Sequence, residues 1–492
     1  MDIVKVLGVY FSLDGDWKEK MNYKEILSKI KKSLSWWKQR DLTLAGKSQL
    51  LKTFIYSKLI YVASLTPVPQ WVYNELDDMV LDFFWKSSPK IKKEILFLDY
   101  DQGGIKMMHF PSLIKAQRVI WVKRLFDENN KDMSWKHYFD YALKHVGGRF
   151  VFRCNYITGL LHLSVPKFYI DMLENWISTR KSRGNFEQVG KEILWNNKFI
   201  RLNGQSIYDD NLHMKQIFYL EHIIDDVGEL RPEVYFRGKG LDNLEIENIK
   251  ELYKSIPPIW KRNIRFQNTP LSKSNDEMSF IHIDNVISIN SITSKRIYHI
   301  FREMVADPSK SIEKINKLHN VNFSLKSLNN TFNLPRWSTL SSVLRDFQYK
   351  FLHAIIYTNA QLFKFKVSET KLCSFCKKED ETYEHLFYAC EFTRIVWTEC
   401  DSFFDDVMFS LFSWEQIKFG SDSYTGGKGQ IVNHLLILVK LRLFKDRKRE
   451  TPPSLFEIKE QLKADKLEEK NIALSRNTIT LHLKKWENIL LD

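Results

Sequence analysis

The chain has 492 residues, 44% of them hydrophobic and 14% aromatic, which is enough apolar material for several cores and about three domains, and which excludes a wholly disordered chain. Lysine and arginine outnumber aspartate and glutamate by 74 to 60, a formal charge of +14, and this balance favours polyanionic partners such as nucleic acid. The amino terminus lacks a basic, apolar and small-residue sequence of the secretory kind, and the most apolar run, 431–439, is interrupted by Asn433 and His434 and is shorter than the roughly 20 residues of a bilayer span. No export and no membrane partner are expected. Cysteine usage says the same, because five scattered thiols make a poor disulfide framework and suit a reducing compartment, cytoplasmic or nuclear.

In chain order, Val4 to Phe11 is β-branched and apolar and reads as a strand, with Gly8 implying a close backbone approach. Ile26, Ile30, Leu34 and Trp37 then recur at helical spacing with lysines between them, and Trp36 and Trp37 read as core. A second helix is expected over 46–65, with Leu50, Leu51, Phe54, Ile55, Leu59 and Val62 facing inward, until Pro67 and Pro69 stop it. A third covers 75–85, and Gly103-Gly104 marks a turn before another helix that follows Pro111. Helical segments are expected over 169–178 and 245–255, and 186–205 reads as a helix running into a turn or short strand. The Ser-, Asn- and Asp-rich stretch 267–291 reads as a linker. Helical spacing returns over 338–363, and 433–450 is an apolar helix that becomes basic from Lys440 onward, a charge run that reads as a solvated helix end. The expected fold is mainly α: a helical bundle over 1–128, a mixed helical connector over 129–266, a linker-rich segment over 267–337, a small metal-knuckle module with flanking helices over 338–400, and a basic helical region over 401–492.

The most specific chemistry lies in the knuckle. Cys373 and Cys376 are separated by two residues, His385 follows after eight more and Cys390 after a further four. Three thiolates and one imidazole complete a tetrahedral zinc site with no position left for water, so the metal is expected to be structural. A helix starting near Glu384 would let His385 and Cys390 reach the same ion. Cys400 reads as a core thiol and Cys154 is isolated, so neither is expected to be a ligand. Gly426-Gly427-Lys428-Gly429 lacks phosphate-loop spacing and reads as a flexible loop.

Phe347-Gln-Tyr-Lys-Phe-Leu-His353, Thr358-Asn359, Leu362 and the stretch Cys373 to Trp397, including Glu381-Thr382 and His385-Leu386-Phe387, resemble the carboxy-terminal zinc-binding region of LINE-type, non-LTR retrotransposon reverse transcriptases. Leu44-Ala-Gly-Lys47, Phe84-Trp85, Gly103-Gly104-Ile105, Leu194-Trp195-Asn196-Asn197 and Ile256-Pro257-Pro258-Ile259-Trp260 resemble the thumb and connecting regions of the same family, and Leu7 and Gly8 its primer-grip segment. The resemblance implies an RNA or RNA–DNA duplex partner and no small-molecule substrate. By analogy with a polymerase thumb, Lys47, Lys52 and Lys58 are expected to touch phosphate, and Lys371, Lys377, Lys378 and Arg394 to do so around the knuckle.

The family's catalytic aspartates would lie before Leu7, so no catalytic residue is assigned and the chain as it stands is not expected to be an enzyme. Asp77-Asp78, Asp209-Asp210, Asp225-Asp226 and Asp405-Asp406 read as surface pairs. Two alternatives stay open: a full RNA-directed DNA polymerase acting in target-primed reverse transcription, and a protein that uses the zinc module for protein contacts.

Overall fold

Apolar residues at helical spacing dominate the chain, and the computed structural model is accordingly mainly α-helical. It describes all residues except 1–2, 13, 86–87, 181–185, 264–278, 283–284, 404–411, 422–424 and 488–492. Strands among the described residues are confined to three antiparallel hairpins. The chain forms two units, one from 1–28, 56–75 and 109–304 and the other from 29–55, 76–108 and 305–492, so each draws on several of the expected segments.

In the first unit, Val4 to Phe11 is a hairpin and not one strand. Ile3–Val6 pairs with Val9–Ser12, and Leu7 and Gly8 form the two-residue turn with φ of 46° and 85°, the mirror-image geometry that matches strand twist. Nothing lies within 4 Å of a Cβ built on Gly8, so the glycine serves the positive φ and no close approach. Phe110–Phe126, Lys167–Thr179 and Ser294–Glu303 pack around a core that includes Val119, Val122, Trp176 and Ile297. Arg118 is buried there, and its guanidinium donates to the carbonyl oxygens of Ser64 at 2.7 Å, Ala63 at 2.9 Å and Thr66 at 2.6 Å. It thereby satisfies the unpaired carbonyls where the helix Ser57–Leu65 ends before Pro67. Trp195 donates its indole N–H to the carbonyl of Ile217 at 2.7 Å, and Asn196 its amide to that of Val146 at 2.9 Å. Both hold irregular chain in place.

The helical run over 44–65 contains a π-helical stretch, Leu51–Tyr56. The wider turn shifts the facing residues: Phe54, expected inward, is exposed, and Tyr56 is buried against Phe110 with centroids 5.3 Å apart. Trp36 also departs from expectation, lying 68% exposed, while Trp37 packs against Phe54 at 5.9 Å.

Three further readings are corrected. Within 267–337, residues 267–278 and 283–284 are outside the described residues, and the rest holds the hairpin Ser279–His282 with Asn285–Ser288 and the helices Ser294–Glu303, Pro308–His319 and Leu325–Ser338. Capping by Thr293, Asp307 and Ser324 and apolar spacing outweigh the polar composition there. Gly426-Gly427 opens the helix Gly426–Asp446 instead of forming a loop, and a Cβ on Gly427 would meet the Lys484 carbonyl oxygen at 1.8 Å. Lys440 is buried, not solvated. Its ammonium donates to Gln348 Oε1 at 2.7 Å and to the Ile417 carbonyl at 2.6 Å, and burial pushes it well below the usual lysine range.

Gly103-Gly104 is a packing requirement. Gly103 has φ 84°, and a Cβ on Gly104 would sit 2.1 Å from the Leu98 carbonyl oxygen. His353 Nε2 lies 2.9 Å from the Gly103 carbonyl, while its Nδ1 faces Lys314 Nζ at 3.4 Å. The first contact needs Nε2–H and the second an unprotonated Nδ1, so the ring is neutral. Burial, then Lys314, pushes its pKa well below the usual histidine value.

Below about pH 6.5 the unfolded chain therefore binds a proton here that the folded chain does not, and stability falls as pH drops from that point toward the folded pKa. Urea midpoints measured at about pH 7.5 and about pH 5.5 are expected to show the loss, and His353→Gln to make it smaller by about 1 kcal/mol. An unchanged pH dependence in the variant would remove His353 as a source.

Candidate metal centre

The knuckle is built by a short backbone bridge and a widened helical turn. Leu372 and Asp380 pair across the loop, Cys373 N donates to the Glu379 carbonyl at 2.7 Å, and Lys377 turns the chain back with φ 56° while its N–H reaches the Cys373 carbonyl at 3.0 Å. Helical structure begins just before His385, as the spacing predicted, but His385–Ala389 is a π-helical turn closed by the Cys390 N–H on the His385 carbonyl at 2.9 Å. Five residues of α-helix would advance about 140° past a full turn and point the two side chains apart. The i to i+5 bond of a π turn brings them to one side. Trp397 anchors this turn by donating its indole N–H to the Phe387 carbonyl at 2.9 Å, and Thr393 donates its hydroxyl to that of Leu386, also at 2.9 Å.

The four predicted ligands converge. Cys373, Cys376, His385 and Cys390 are all buried, and their ligating atoms lie within 4.8 Å of one another. Cys373 Sγ to Cys390 Sγ measures 3.8 Å and Cys376 Sγ to His385 Nε2 3.3 Å. Tetrahedral zinc with Zn–S near 2.3 Å requires about 3.8 Å between sulfurs, so the donor set fits the ion in both chemistry and size. The hydrogen bond from Cys373 Sγ to Cys390 Sγ pulls Cys390 below the usual thiol range and pushes Cys373 above it. Backbone N–H groups of Thr393 and Phe392 also favour the Cys390 thiolate, which sits where the helix Glu391–Phe403 begins. Burial raises Cys154 and Cys400 each to about 12, and neither lies in the cluster.

Charged groups outside the ligand set hold it in place. Glu379 Oε2 lies 3.2 Å from His385 Nδ1 without a hydrogen bond between them, and Nε2 faces Cys376 Sγ. Glu381 is fully buried. Its carboxylate accepts from Ser374 N at 2.8 Å and the Ser374 hydroxyl at 2.6 Å in the knuckle, from Asn359 N at 2.8 Å, and from Arg447 at 2.7 Å. Ligand spacing does not reveal this role. Glu381 and Asn359 stood within strings that carried the resemblance, but Arg447 stood in a basic run with no sign of a partner.

The lysines near the knuckle are exposed and ion-paired: Lys371 with Asp380 at 3.0 Å, Lys377 with Glu450 at 2.7 Å and Lys378 with Glu391 at 2.8 Å. Arg394 is exposed. Lys52 and Lys58 are exposed on the helical run, and Leu7 is exposed at the hairpin turn, where its carbonyl accepts from the Tyr61 hydroxyl at 2.9 Å. Lys47 differs from its expected role. It is buried, and its ammonium donates to the carbonyls of Phe83 at 3.1 Å and Phe84 at 2.9 Å, the carboxy-terminal end of the helix Gln70–Trp85. Those carbonyls lack helical partners and carry partial negative charge, which is why a cation is held there and turned away from solvent.

The model of a zinc-binding family found in reverse transcriptase matches residues 328–397, a span that contains all four ligands. A putative ribonuclease H protein of Arabidopsis thaliana is 29% identical over 119 residues, which are 23% of this chain and 19% of that protein. The matched stretch thus spans about a fifth of this relative.

Purified chain is expected to carry one zinc by elemental analysis, Cys373→Ser to carry none, and Cys400→Ser to keep it. Zinc retained by Cys373→Ser would refute the ligand set. Glu381→Gln is expected to weaken zinc about 10- to 100-fold in competition with a chromophoric chelator; wild-type affinity would reduce Glu381 to a bystander. Residues 328–397 thus match a zinc-binding domain of the reverse-transcriptase type, and Cys373, Cys376, His385 and Cys390 within them form a site for one structural zinc ion.

Proposed function

We propose that this chain binds RNA or an RNA–DNA duplex as a LINE-type retroelement product, and that its described residues do not themselves carry nucleotidyl transfer. The observation that carries the reading is the closed zinc site: four protein donors leave the metal no coordination position for a reactant, and exposed cations surround it. Lys371, Lys377 and Lys378 hold exposed surface ion pairs, which are weak in water and which phosphate can replace. Arg394 adds a further charge, and the net excess of +14 supports the same partner.

The acidic pairs have structural places. Asp77 pairs with Lys93 at 2.7 Å, Asp209 caps a helix by accepting from Leu212 N at 3.0 Å, and Asp225 closes a turn by accepting from Glu229 N at 2.8 Å. Asp405-Asp406 lies outside the described residues. The ribonuclease activity in the relative's name is not carried over, because the match covers 19% of that protein.

Binding of labelled RNA and of an RNA–DNA hybrid is expected to weaken steeply between about 50 and 200 mM salt. Lys378→Glu with Arg394→Glu should weaken both. Absence of any salt-sensitive binding by the zinc-loaded chain would reject the proposal.

A further inference from the structure

The second unit contains a cleft of about 670 Å³ that none of the motif strings announced. Its walls come from residues 40–44 and Lys47, from Phe84, Trp85 and Lys90, from the helix Ser342–Leu352 and the loop after it, and from the end of the helix Gly426–Asp446. Six cations line it against two carboxylates, Asp41 and Asp346. Three of the six have partners already: Lys47 holds the Phe83 and Phe84 carbonyls, Lys350 pairs with Asp346 at 2.6 Å, and Arg447 pairs with Glu381 at 2.7 Å. Arg40, Lys90 and Lys445 have no ion pair to a carboxylate among the described residues.

Asp346 cannot serve them as well, because its other oxygen accepts from Leu44 N at 2.7 Å. Lys90 is held over the ring of Tyr357, 4.6 Å from its centroid, and the guanidinium of Arg447 over Phe444 at 4.5 Å. Burial, then the neighbouring Lys350, pushes Lys90 below the usual lysine value. Six cations against two carboxylates in one cleft repel one another, and an entering anion relieves that repulsion.

We propose that this cleft binds a short single-stranded segment of RNA, with Arg40, Lys90 and Lys445 on its phosphodiesters and the Tyr357 ring beside its bases. This rests on the nucleic-acid reading above and deepens it by giving the strand a place. Phosphate and base faces are what cations above aromatic rings recognise together. The volume falls within the range of about 300–1,000 Å³ typical of small-ligand sites, so it takes a few nucleotides of one strand and not a duplex. Arg447 connects the cleft to the zinc module, since the Glu381 that orients it also holds the backbone of Ser374 in the knuckle.

The test compares the zinc-loaded full chain with Lys90→Glu/Lys445→Glu and with Lys378→Glu/Arg394→Glu, using a fluorescein-labelled single-stranded RNA of about 20 nucleotides at several salt concentrations. The cleft variant is expected to bind about tenfold or more weakly, with the slope of log affinity against log salt reduced by about 2, and with zinc content and unfolding midpoint as in wild type. Wild-type binding by the cleft variant, together with loss in the knuckle variant, would overturn the cleft and leave the nucleic-acid reading standing. No salt-sensitive binding by wild type would overturn both. Should the charge reversals disturb folding, Lys90→Gln/Lys445→Gln is expected to show the same loss to a smaller degree. A 4-thiouridine RNA irradiated on the wild-type chain is expected to form adducts at Tyr357 or Lys90, and adducts found only elsewhere would reject the site.

Discussion

One buried carboxylate joins the metal knuckle to the helical core of its unit. Glu381 has no exposure to solvent, and each of its oxygens is committed: one to Arg447 and the backbone of Asn359, the other to Ser374 within the knuckle. An isolated carboxylate in such a place would cost several kcal/mol, and removing one partner of a buried pair typically costs about 3–5 kcal/mol. The charge is tolerable only when loop, helix and knuckle are assembled together. That makes it a registration device: the thiolates can take their places around a metal while the chain on both sides is already held.

The same logic explains several strings that carried the family resemblance. Lys47 lies on the end of the helix Gln70–Trp85, His353 on the carbonyl of Gly103, and the Asn359 amide on the carbonyl of Leu372. Each brings a side-chain group to main chain or to a carboxylate that would otherwise be buried without a partner. Residues that look like ligand-binding signals in a linear reading thus act as internal supports. Lys47 is the clearest instance, because a lysine beside a thumb-like helix suggests phosphate, whereas the free carbonyls of a helix end offer a nearer and permanent counter-charge.

The zinc site and the basic surfaces then divide the work. A site with four protein donors contributes folding free energy, on the order of 10 kcal/mol in small zinc modules, and leaves recognition to the charges it positions. Surface pairs such as Lys378 with Glu391 are weak and exchangeable. Cations without a carboxylate, such as Lys90, are where an anionic ligand gains most.

Ligand identity and helical class were legible in the linear chain because both depend on local chemistry. Two cysteines separated by two residues with a histidine and a third cysteine at knuckle spacing can hardly serve another purpose, and apolar residues three and four apart bury one face wherever the helix lies. What local chemistry cannot decide is which side of a helix meets which neighbour. The π turns at Leu51–Tyr56 and His385–Ala389 rotate Phe54 outward and bring Cys390 to His385, and both are set by packing. Segment 294–338 looks polar enough for a linker, yet its caps and buried Ile297, Ile315 and Phe332 make it helical. Lys440 reads as a solvated charge until Gln348 and the Ile417 carbonyl, 92 and 23 residues away, surround it. Composition and spacing determined that this chain is helical, basic and zinc-binding. Only the tertiary structure decided which charges face solvent, because burial depends on partners distant in sequence.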